Sequence, residues 1–330
     1  MAKMVDEAFN IFMKDVVNPT DAEIASAVQN QQRVIDVIKG YDGNNFFHLC
    51  EEYNEKFGSF ARGTKKGKID DVDLMFGMMG LDATYNGTDP WYNVRIYGDW
   101  RDYQQKSCMD ETGILNSRIV LNKFRDRLAE TYTTSKNPSR NGEAVTLSLT
   151  DRTIDVVPCF FTKVDEFGHC YYLIPNGCGN WQKTDPRIDR KIVKDLNVKL
   201  RGRLLPLIRL CKKWNEVKKI KTLPSYLLET IVVNFAQQQD ELSEWIDWNF
   251  LDVLEYLKDS IFKPVYDTKG IQDDISYCLG PLDRLKISQR AKDDIEKIYE
   301  AREAELDDND YEKAINLWCE IFGEDFPTYG

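Results

Sequence analysis

Two aspartates separated by one residue, Asp71 and Asp73, have the spacing that most clearly points to chemistry. Their apolar neighbours Val72, Leu74 and Phe76 predict a β-strand, in which alternate side chains point to the same side. Both carboxylates are therefore expected on one face of that strand. Carboxylates held so close repel each other, and burying them unpaired is costly, so they require a cation. Mg²⁺ fits because it binds one or two carboxylates together with water and phosphate oxygens.

A Gly-Ser pair, Gly58 and Ser59, precedes these aspartates, with eleven residues between Ser59 and Asp71. Glycine lets the backbone approach a polyphosphate closely, and the serine hydroxyl and nearby N–H groups can donate hydrogen bonds to it. A bare Asp-x-Asp pair is also typical of a solvated turn that leads into a strand. The Gly-Ser pair at this spacing instead favours a site for a triphosphate and its metal ion.

A third acidic residue, Asp155, lies in an apolar run between Ile154 and Val156. Two alternating runs, 145–149 and 153–157, are joined by three residues of turn character, a pattern that predicts a β-hairpin. Taken alone, an aspartate in such a run is also typical of an edge strand that faces solvent.

The stretch Gly58–Thr64, Gly-Ser-x-x-Arg-Gly-Thr, followed by Asp71 and Asp73, resembles the signature of the DNA polymerase β-like nucleotidyltransferases. It is similar to the branch that contains cyclic GMP-AMP synthase, the oligoadenylate synthases and their bacterial relatives, the CD-NTases. Ile154–Pro158 matches the third motif of that pattern. The resemblance implies that Asp71, Asp73 and Asp155 are catalytic and together hold two Mg²⁺ ions, with Mn²⁺ as an alternative ion.

Two later stretches, Lys213–Trp214 and Ser225–Glu229, resemble the helical part of the same family, in which a lysine and a serine contact the donor triphosphate. Lys213 is chosen over Lys212 because Trp214 sets the alignment. Taken alone, a lysine there is typical of a solvated helix end, and a serine of a helix cap. The nucleotide-binding residues that the resemblance implies are Gly58, Ser59, Arg62, Lys213 and Ser225.

The fold that the resemblance implies is α+β, with a polymerase β-like nucleotidyltransferase lobe, a helical lobe and an active site in the cleft between them. Residues 1–50 show the periodicity of amphipathic helices, which in the resembled family brace both lobes. Residues 51–185 are expected to form the nucleotidyltransferase core, a mixed sheet with helices. Residues 186–330 are expected to form the helical lobe.

Two segments are expected to lack regular structure. Residues 133–143 are rich in turn residues and predict a loop. The last five residues, Phe326–Gly330, predict a short mobile end. Some bacterial members of the resembled family are joined through their C-terminal residue to a target by a conjugating enzyme. A terminal glycine is compatible with such a partner, although a tail that ends in glycine without this role is the commoner case.

The net charge and composition of the chain disfavour some classes of ligand and binding partner. A net charge of −11 disfavours constitutive binding of nucleic acid, although the basic stretch 187–221 is a candidate patch. The chain has eight cysteines but no Cys-x-x-Cys pair, and it has only two histidines, so a zinc site is not expected. The candidate zinc ligands that lie closest together in the sequence are His169, Cys170 and Cys178. The sequence shows no signal peptide and no membrane-length apolar run, which predicts a cytoplasmic protein without a membrane partner and with reduced thiols.

The function that the resemblance implies is Mg²⁺-dependent synthesis of a cyclic di- or trinucleotide second messenger from ATP or GTP, in anti-phage signalling, with an activating or conjugating partner protein. Three alternatives stay open. The enzyme could make linear oligonucleotides, or could modify RNA ends or a small molecule. The protein could bind nucleotides without catalysis, although three intact carboxylates argue against this. Nucleic acid could activate it, which the acidic charge disfavours. Base choice, linkage and ring size are not readable from the sequence.

Overall fold

The structure is a computed structural model that describes residues 1–43, 45–133, 136–165, 168–220 and 222–330. The chain divides into two compact units. The sheet unit comprises Ala22–Arg62 and Ile69–Arg190, and the helical unit comprises Met1–Asp21, Gly63–Lys68 and Lys191–Gly330. The chain thus passes between the units at four points, two of which bound Gly63–Lys68. The division predicted from the sequence, at residues 50 and 185, stays a prediction.

The sheet unit is built on nine strands in its described part. They are β1 (Glu55–Phe57), β2 (Asp71–Gly77), β3 (Thr84–Tyr85), β4 (Ile96–Tyr97), β5 (Lys136–Asn141), β6 (Ala144–Ser148), β7 (Thr153–Phe161), β8 (Tyr172–Pro175) and β9 (Trp181–Thr184). The main sheet has the order β1-β2-β7-β6-β5, while β8 pairs with β7 and β9 with β8. The strands β2 and β7 are parallel and the other pairs are antiparallel, so the sheet is mixed, as expected.

Alternating apolar residues bury one face of the two central strands. Val72 and Leu74 of β2, and Ile154 and Val156 of β7, are at most 1% exposed and share an apolar cluster with Phe124. Burial of these side chains leaves the alternate positions of both strands on the opposite face. The helices of this unit are α2 (Asp21–Lys39), α3 (Gly58–Ala61), α4 (Tyr103–Lys106) and α5 (Ser117–Thr131), with a 3₁₀ turn at Glu51–Tyr53.

The helical unit packs around buried aromatic side chains. Its helices are α1 (Val5–Phe12), continued by a π-helical turn (Met13–Val17), α6 (Pro186–Lys199), α7 (Leu204–Val217), α8 (Ser225–Gln237), α9 (Ile246–Ser260), α10 (Pro281–Leu306) and α11 (Tyr311–Phe322). Phe12, Trp214, Phe250, Trp318 and Phe322 lie in its core. The predicted helical character of the first fifty residues and of the C-terminal region is confirmed. Within the described residues, no helix is both long and apolar enough to cross a membrane.

The predicted hairpin is confirmed, because β6 and β7 are antiparallel neighbours. The prediction of a loop over residues 133–143 is wrong where the structure describes it. Lys136–Asn141 forms β5, which pairs with β6 through Ser139 opposite Thr146, with an irregular register on one side. Turn residues can occupy this strand because, among the described strands, it is the last in the order and pairs on one side. Thr134 and Ser135 lie outside the described residues.

The last five residues are ordered against the N-terminal segment, so the prediction of a mobile end is wrong. Phe326 is 1% exposed and packs against Phe9, with ring centroids 5.1 Å apart. The backbone N–H of Ala2 donates to the Thr328 carbonyl at 2.9 Å, and that of Gly330 donates to the Ala2 carbonyl at 3.2 Å. Burial of one aromatic ring and pairing with the other terminus therefore hold this segment.

Candidate active site

The three aspartates predicted as catalytic lie on two neighbouring strands. In the parallel pair of β2 and β7, Asp73 is opposite Asp155 and Asp71 is opposite Thr153. Adjacent strands lie about 4.8 Å apart, and residues in register on them point to the same face. All three residues are partly exposed, on the face opposite the buried Val72 and its neighbours. The predicted strand and shared face are confirmed, and the roles of the residues stay predictions.

The Asp155 carboxylate is oriented by a neighbour on the hairpin, Thr146. This threonine is opposite Asp155 in the β6–β7 register, and its hydroxyl donates to Oδ1 of Asp155 at 2.6 Å. The bond leaves lone pairs of the carboxylate available for other ligands. Thr146 is therefore a site residue that the sequence analysis did not include.

Gly58 lies directly against the Asp73 carboxylate. Phe57 is opposite Asp73 in the antiparallel pairing of β1 and β2, and Gly58 then begins the short helix α3 with φ of +75°. A Cβ atom at Gly58 would lie 1.7 Å from Oδ2 of Asp73 and 2.6 Å from its Cγ. Only glycine permits both this backbone conformation and this approach. Ser59 is the second residue of α3, and Arg62 follows its last turn.

Gly58→Ala is expected to lower both stability and turnover. The substitution places a left-handed φ on an alanine and displaces the Asp73 carboxylate, and a displacement of about 1 Å can reduce turnover on the order of 100-fold. Gly142→Ala is the matched control, because Gly142 also has a positive φ of +56° but nothing within 4 Å of an added Cβ. Melting temperature and initial rate of pyrophosphate release test both. Equal rates in the two variants would contradict the proposed importance of this contact.

Lys213, predicted to bind the triphosphate, lies inside α7 and is mostly buried. Its Nζ contacts Oδ2 of Asp325 at 2.8 Å and Oε1 of Glu216 at 3.2 Å. Burial opposes the charge of Lys213, but these two hydrogen bonds together raise its pKa, so the side chain stays a cation. The alternative of a solvated helix end is therefore wrong. The contact with a triphosphate stays a prediction.

Ser225 is the first residue of α8 and is exposed, whereas Pro224 occupies the capping position and no side chain caps that end. The alternative of Ser225 as a helix cap is therefore wrong. Its role in nucleotide binding stays a prediction.

The donor set at the three aspartates fits Mg²⁺ or Mn²⁺. Carboxylate and hydroxyl oxygens are hard ligands, which suit these ions better than zinc. In the part of the chain that the structure describes, no group of three His, Cys, Asp or Glu side chains is placed to hold a metal ion. An ion at Asp71, Asp73 and Asp155 would therefore draw its remaining ligands from water and substrate phosphates.

Comparison with known proteins identifies the family. The chain is 34% identical over 345 residues to a protein of Bacillus cereus strain VD146 described as a probable cyclic nucleotide synthase, and the match covers 100% of this chain and 99% of that one. The chain belongs to the CD-NTases. It is thus a nucleotidyltransferase of the cyclic nucleotide synthase class, as the motifs of the sequence implied.

A second relative of this CD-NTase is the cyclic AMP-AMP-AMP synthase of an Acinetobacter strain, 27% identical over 220 residues that cover 64% of this chain and 60% of the relative. Two solved structures of Escherichia coli MS115-1 CdnC share the fold. One is its complex with HORMA-deltaN, with a TM-score of 0.71, and one contains ATP, with a TM-score of 0.70. Each is 16% identical, over 98% of both chains. The expected α+β fold is confirmed. No model of a known protein family matches the chain.

Proposed function

We propose that this CD-NTase uses Mg²⁺ and the nucleotides ATP or GTP to make a cyclic di- or trinucleotide, with release of pyrophosphate, as a second messenger in anti-phage defence. The observation that carries the proposal is the register of Asp73 with Asp155, with Asp71 on the same face and the Gly58 backbone against Asp73. Three carboxylates beside a glycine-serine turn are suited to a metal-bound triphosphate.

Relatives support the choice of substrate and partner. One homologue is named for the synthesis of cyclic AMP-AMP-AMP, which makes ATP a candidate donor here. CdnC has been solved with ATP and with a HORMA protein, which supports a nucleotide substrate and an activating partner protein for this chain as well. Conjugation of Gly330 by a further partner also stays a proposal, and it would require that residue to leave its pairing with Ala2.

Different residues of the chain have different roles in nucleotidyl transfer. Gly58 and Ser59 bind the triphosphate through backbone N–H groups and the hydroxyl. Asp71 and Asp73 would hold one metal ion, and Asp155 would join them in holding a second. Bound metal would lower the pKa of the acceptor hydroxyl and neutralise charge on the leaving pyrophosphate.

Proton transfer accompanies the bond change. The acceptor oxygen of the ribose forms a bond to the α-phosphorus as the bond from that phosphorus to the β-phosphate oxygen breaks. Asp155 accepts the hydroxyl proton on the oxygen that Thr146 leaves unoccupied, because the bond from Thr146 orients the carboxylate. Pyrophosphate leaves with the electron pair of the broken bond. A second transfer within the first product would close a cyclic dinucleotide, whereas a cyclic trinucleotide would need one further transfer before ring closure.

Ser59→Ala is expected to weaken nucleotide binding more than it slows chemistry, because the hydroxyl binds phosphate already present in the ground state. Loss of a hydrogen bond to a charged group costs about 1.5–3 kcal/mol, or about 10- to 100-fold in KM. Ser139→Ala, at an exposed position of β5, is the control. Steady-state kinetics with varied ATP separate the two parameters. A fall in kcat at unchanged KM would refute the ground-state role.

The proposed reaction is tested by incubating the protein with Mg²⁺ and each nucleoside triphosphate, then with all four together. Mass spectrometry identifies the product, and phosphatase treatment distinguishes a cyclic nucleotide, which resists it, from a linear one. A phosphatase-sensitive product would favour the linear alternative or transfer to an RNA end or small molecule. Nucleotide binding without any product, in the presence of the native partner from a lysate, would favour a non-catalytic binding protein.

A further inference from the structure

The six residues Gly63–Lys68, here called the linking segment, connect the two halves of the candidate active site. Gly58 and Ser59 precede the segment, and Asp71 and Asp73 follow it. Both flanks belong to the sheet unit, whereas the segment itself belongs to the helical unit. Because the chain is continuous, the position of the segment constrains both flanks.

Backbone groups of the linking segment are held by several bonds. The Gly63 carbonyl accepts from Nε and Nη2 of Arg209 at 3.0 and 2.6 Å. The backbone N–H of Gly67 donates to the Val17 carbonyl at 2.7 Å. At the surface, Lys66 forms an ion pair with Glu216.

The strongest anchor is a buried network around Thr64, which is 0% exposed. The Thr64 hydroxyl donates to Oε2 of Glu229 at 2.9 Å, and the same oxygen accepts from Nζ of Lys212 at 2.5 Å. Nζ of Lys212 also lies 3.2 Å from the Thr64 hydroxyl and 3.3 Å from its carbonyl. The Lys212 and Glu229 side chains are 5% and 3% exposed.

Burying these charged and polar side chains costs free energy, which argues that the network has a role beyond stability. A buried ion pair often contributes less than apolar residues of the same size, because both charges lose their hydration. A buried network nevertheless fixes the positions of its side chains closely, since every buried donor and acceptor needs a hydrogen-bond partner. Thr64 comes from the Gly-Ser-x-x-Arg-Gly-Thr motif and Glu229 from the Ser225–Glu229 stretch, so the bond joins two motifs that are distant in the sequence.

We propose that Thr64, Glu229 and Lys212 are positioning residues for nucleotidyl transfer. By fixing the linking segment, they set the geometry of the Gly58–Ser59 turn and of the β2 carboxylates at its two ends. The inference rests on the proposed function of that site. It also gives Lys212 a role distinct from the one predicted for Lys213, since Lys212 holds the protein backbone.

The test compares Thr64→Val, which keeps the shape and removes the hydroxyl, with Thr64→Ser, which keeps the hydroxyl. We expect Thr64→Val to reduce kcat at saturating nucleotide by about 10- to 100-fold and to raise the Mg²⁺ concentration needed for half-maximal rate. Thr64→Ser should stay within about 3-fold of the unmodified protein. Glu229→Gln, which keeps an acceptor oxygen and removes the charge, should show the same loss if Thr64→Val fails to fold.

The matched control is Ser276→Ala, in the same unit. The Ser276 hydroxyl is also buried between a carboxylate and a cation, donating to Asp274 at 2.6 Å and accepting from Arg284 at 3.0 Å. Its loss tests the stability effect of a buried hydroxyl away from the linking segment. We expect a comparable fall in melting temperature with kcat and Mg²⁺ dependence unchanged.

The proposal is overturned if Thr64→Val lowers only the melting temperature, as Ser276→Ala does, or if Thr64→Ser loses as much turnover as Thr64→Val. Failure of the proposed function is seen separately, as absence of nucleotide transfer by the unmodified protein. In that event the same variants are compared by Mg²⁺-dependent ATP binding in calorimetry. Equal affinity of Thr64→Val and the unmodified protein would then refute the positioning role.

Discussion

Asp155→Asn is expected to reduce turnover by about 10²- to 10⁴-fold while nucleotide binding is retained. The amide cannot accept the hydroxyl proton, and it removes one negative charge from the site that would hold the second metal ion. Asp71 and Asp73 remain for the ion bound to the triphosphate, so affinity for ATP should change little. Rates of pyrophosphate release and calorimetric titration with ATP and Mg²⁺ measure the two effects.

The same substitution should preserve the fold. An asparagine oxygen can still accept the Thr146 hydroxyl, whose bond to Asp155 is 2.6 Å long. Removal of one of three neighbouring negative charges also relieves repulsion, so the melting temperature without metal should hold or rise. Asp126→Asn, on the exposed face of α5, removes the same charge elsewhere in the sheet unit. A variant at Asp155 with near-normal turnover would be incompatible with the two-metal assignment.

The central strands could be predicted because the pattern that indicates each of them lies within the strand itself. Alternation of apolar and acidic residues placed both β2 aspartates on one face, and the register with β7 confirmed that Asp155 shares it. The position of Thr146 opposite Asp155 was not predicted from the sequence, because the register of a hairpin depends on the length of its turn. A three-residue turn at 150–152 would place Leu147 opposite Asp155. The observed pairing of Ser148 with Thr153 makes the turn one residue longer and brings Thr146 there instead.

Features that depend on distant partners were not readable from the sequence. The β5 segment has the composition of a loop, and β6 supplies the partner that makes it a strand. The last five residues form a short segment after the last helix, and only the packing of Phe326 against Phe9 shows that they are ordered. The burial of Lys212 against Glu229 likewise requires two helices to be side by side, which periodicity within each helix cannot reveal.

The double substitution Asp71→Asn with Asp73→Asn is expected to abolish turnover and also the Mg²⁺-dependent part of nucleotide binding. Both carboxylates would hold the ion on the triphosphate, and two amides supply no charge to offset a divalent cation. Gly58 and Ser59 stay intact, so weak binding of ATP that is independent of Mg²⁺ should remain. Calorimetric titration with ATP in Mg²⁺ and in EDTA separates these contributions.

Two measurements show whether the loss of turnover comes from the metal site. They are the melting temperature of the double variant and the activity of a control variant that loses the same charge elsewhere. The melting temperature of the metal-free double variant, measured beside that of the unmodified protein, separates inactivity from unfolding. Asp307→Asn with Asp308→Asn removes the same charge from exposed positions at the end of α10 and should leave binding and turnover intact. If the Asp71 and Asp73 variant lost turnover yet bound ATP more tightly with Mg²⁺ than with EDTA, the ion on the triphosphate would have its ligands elsewhere. The difference between the titrations of the Asp155 variant and the double variant therefore decides which carboxylates serve which ion.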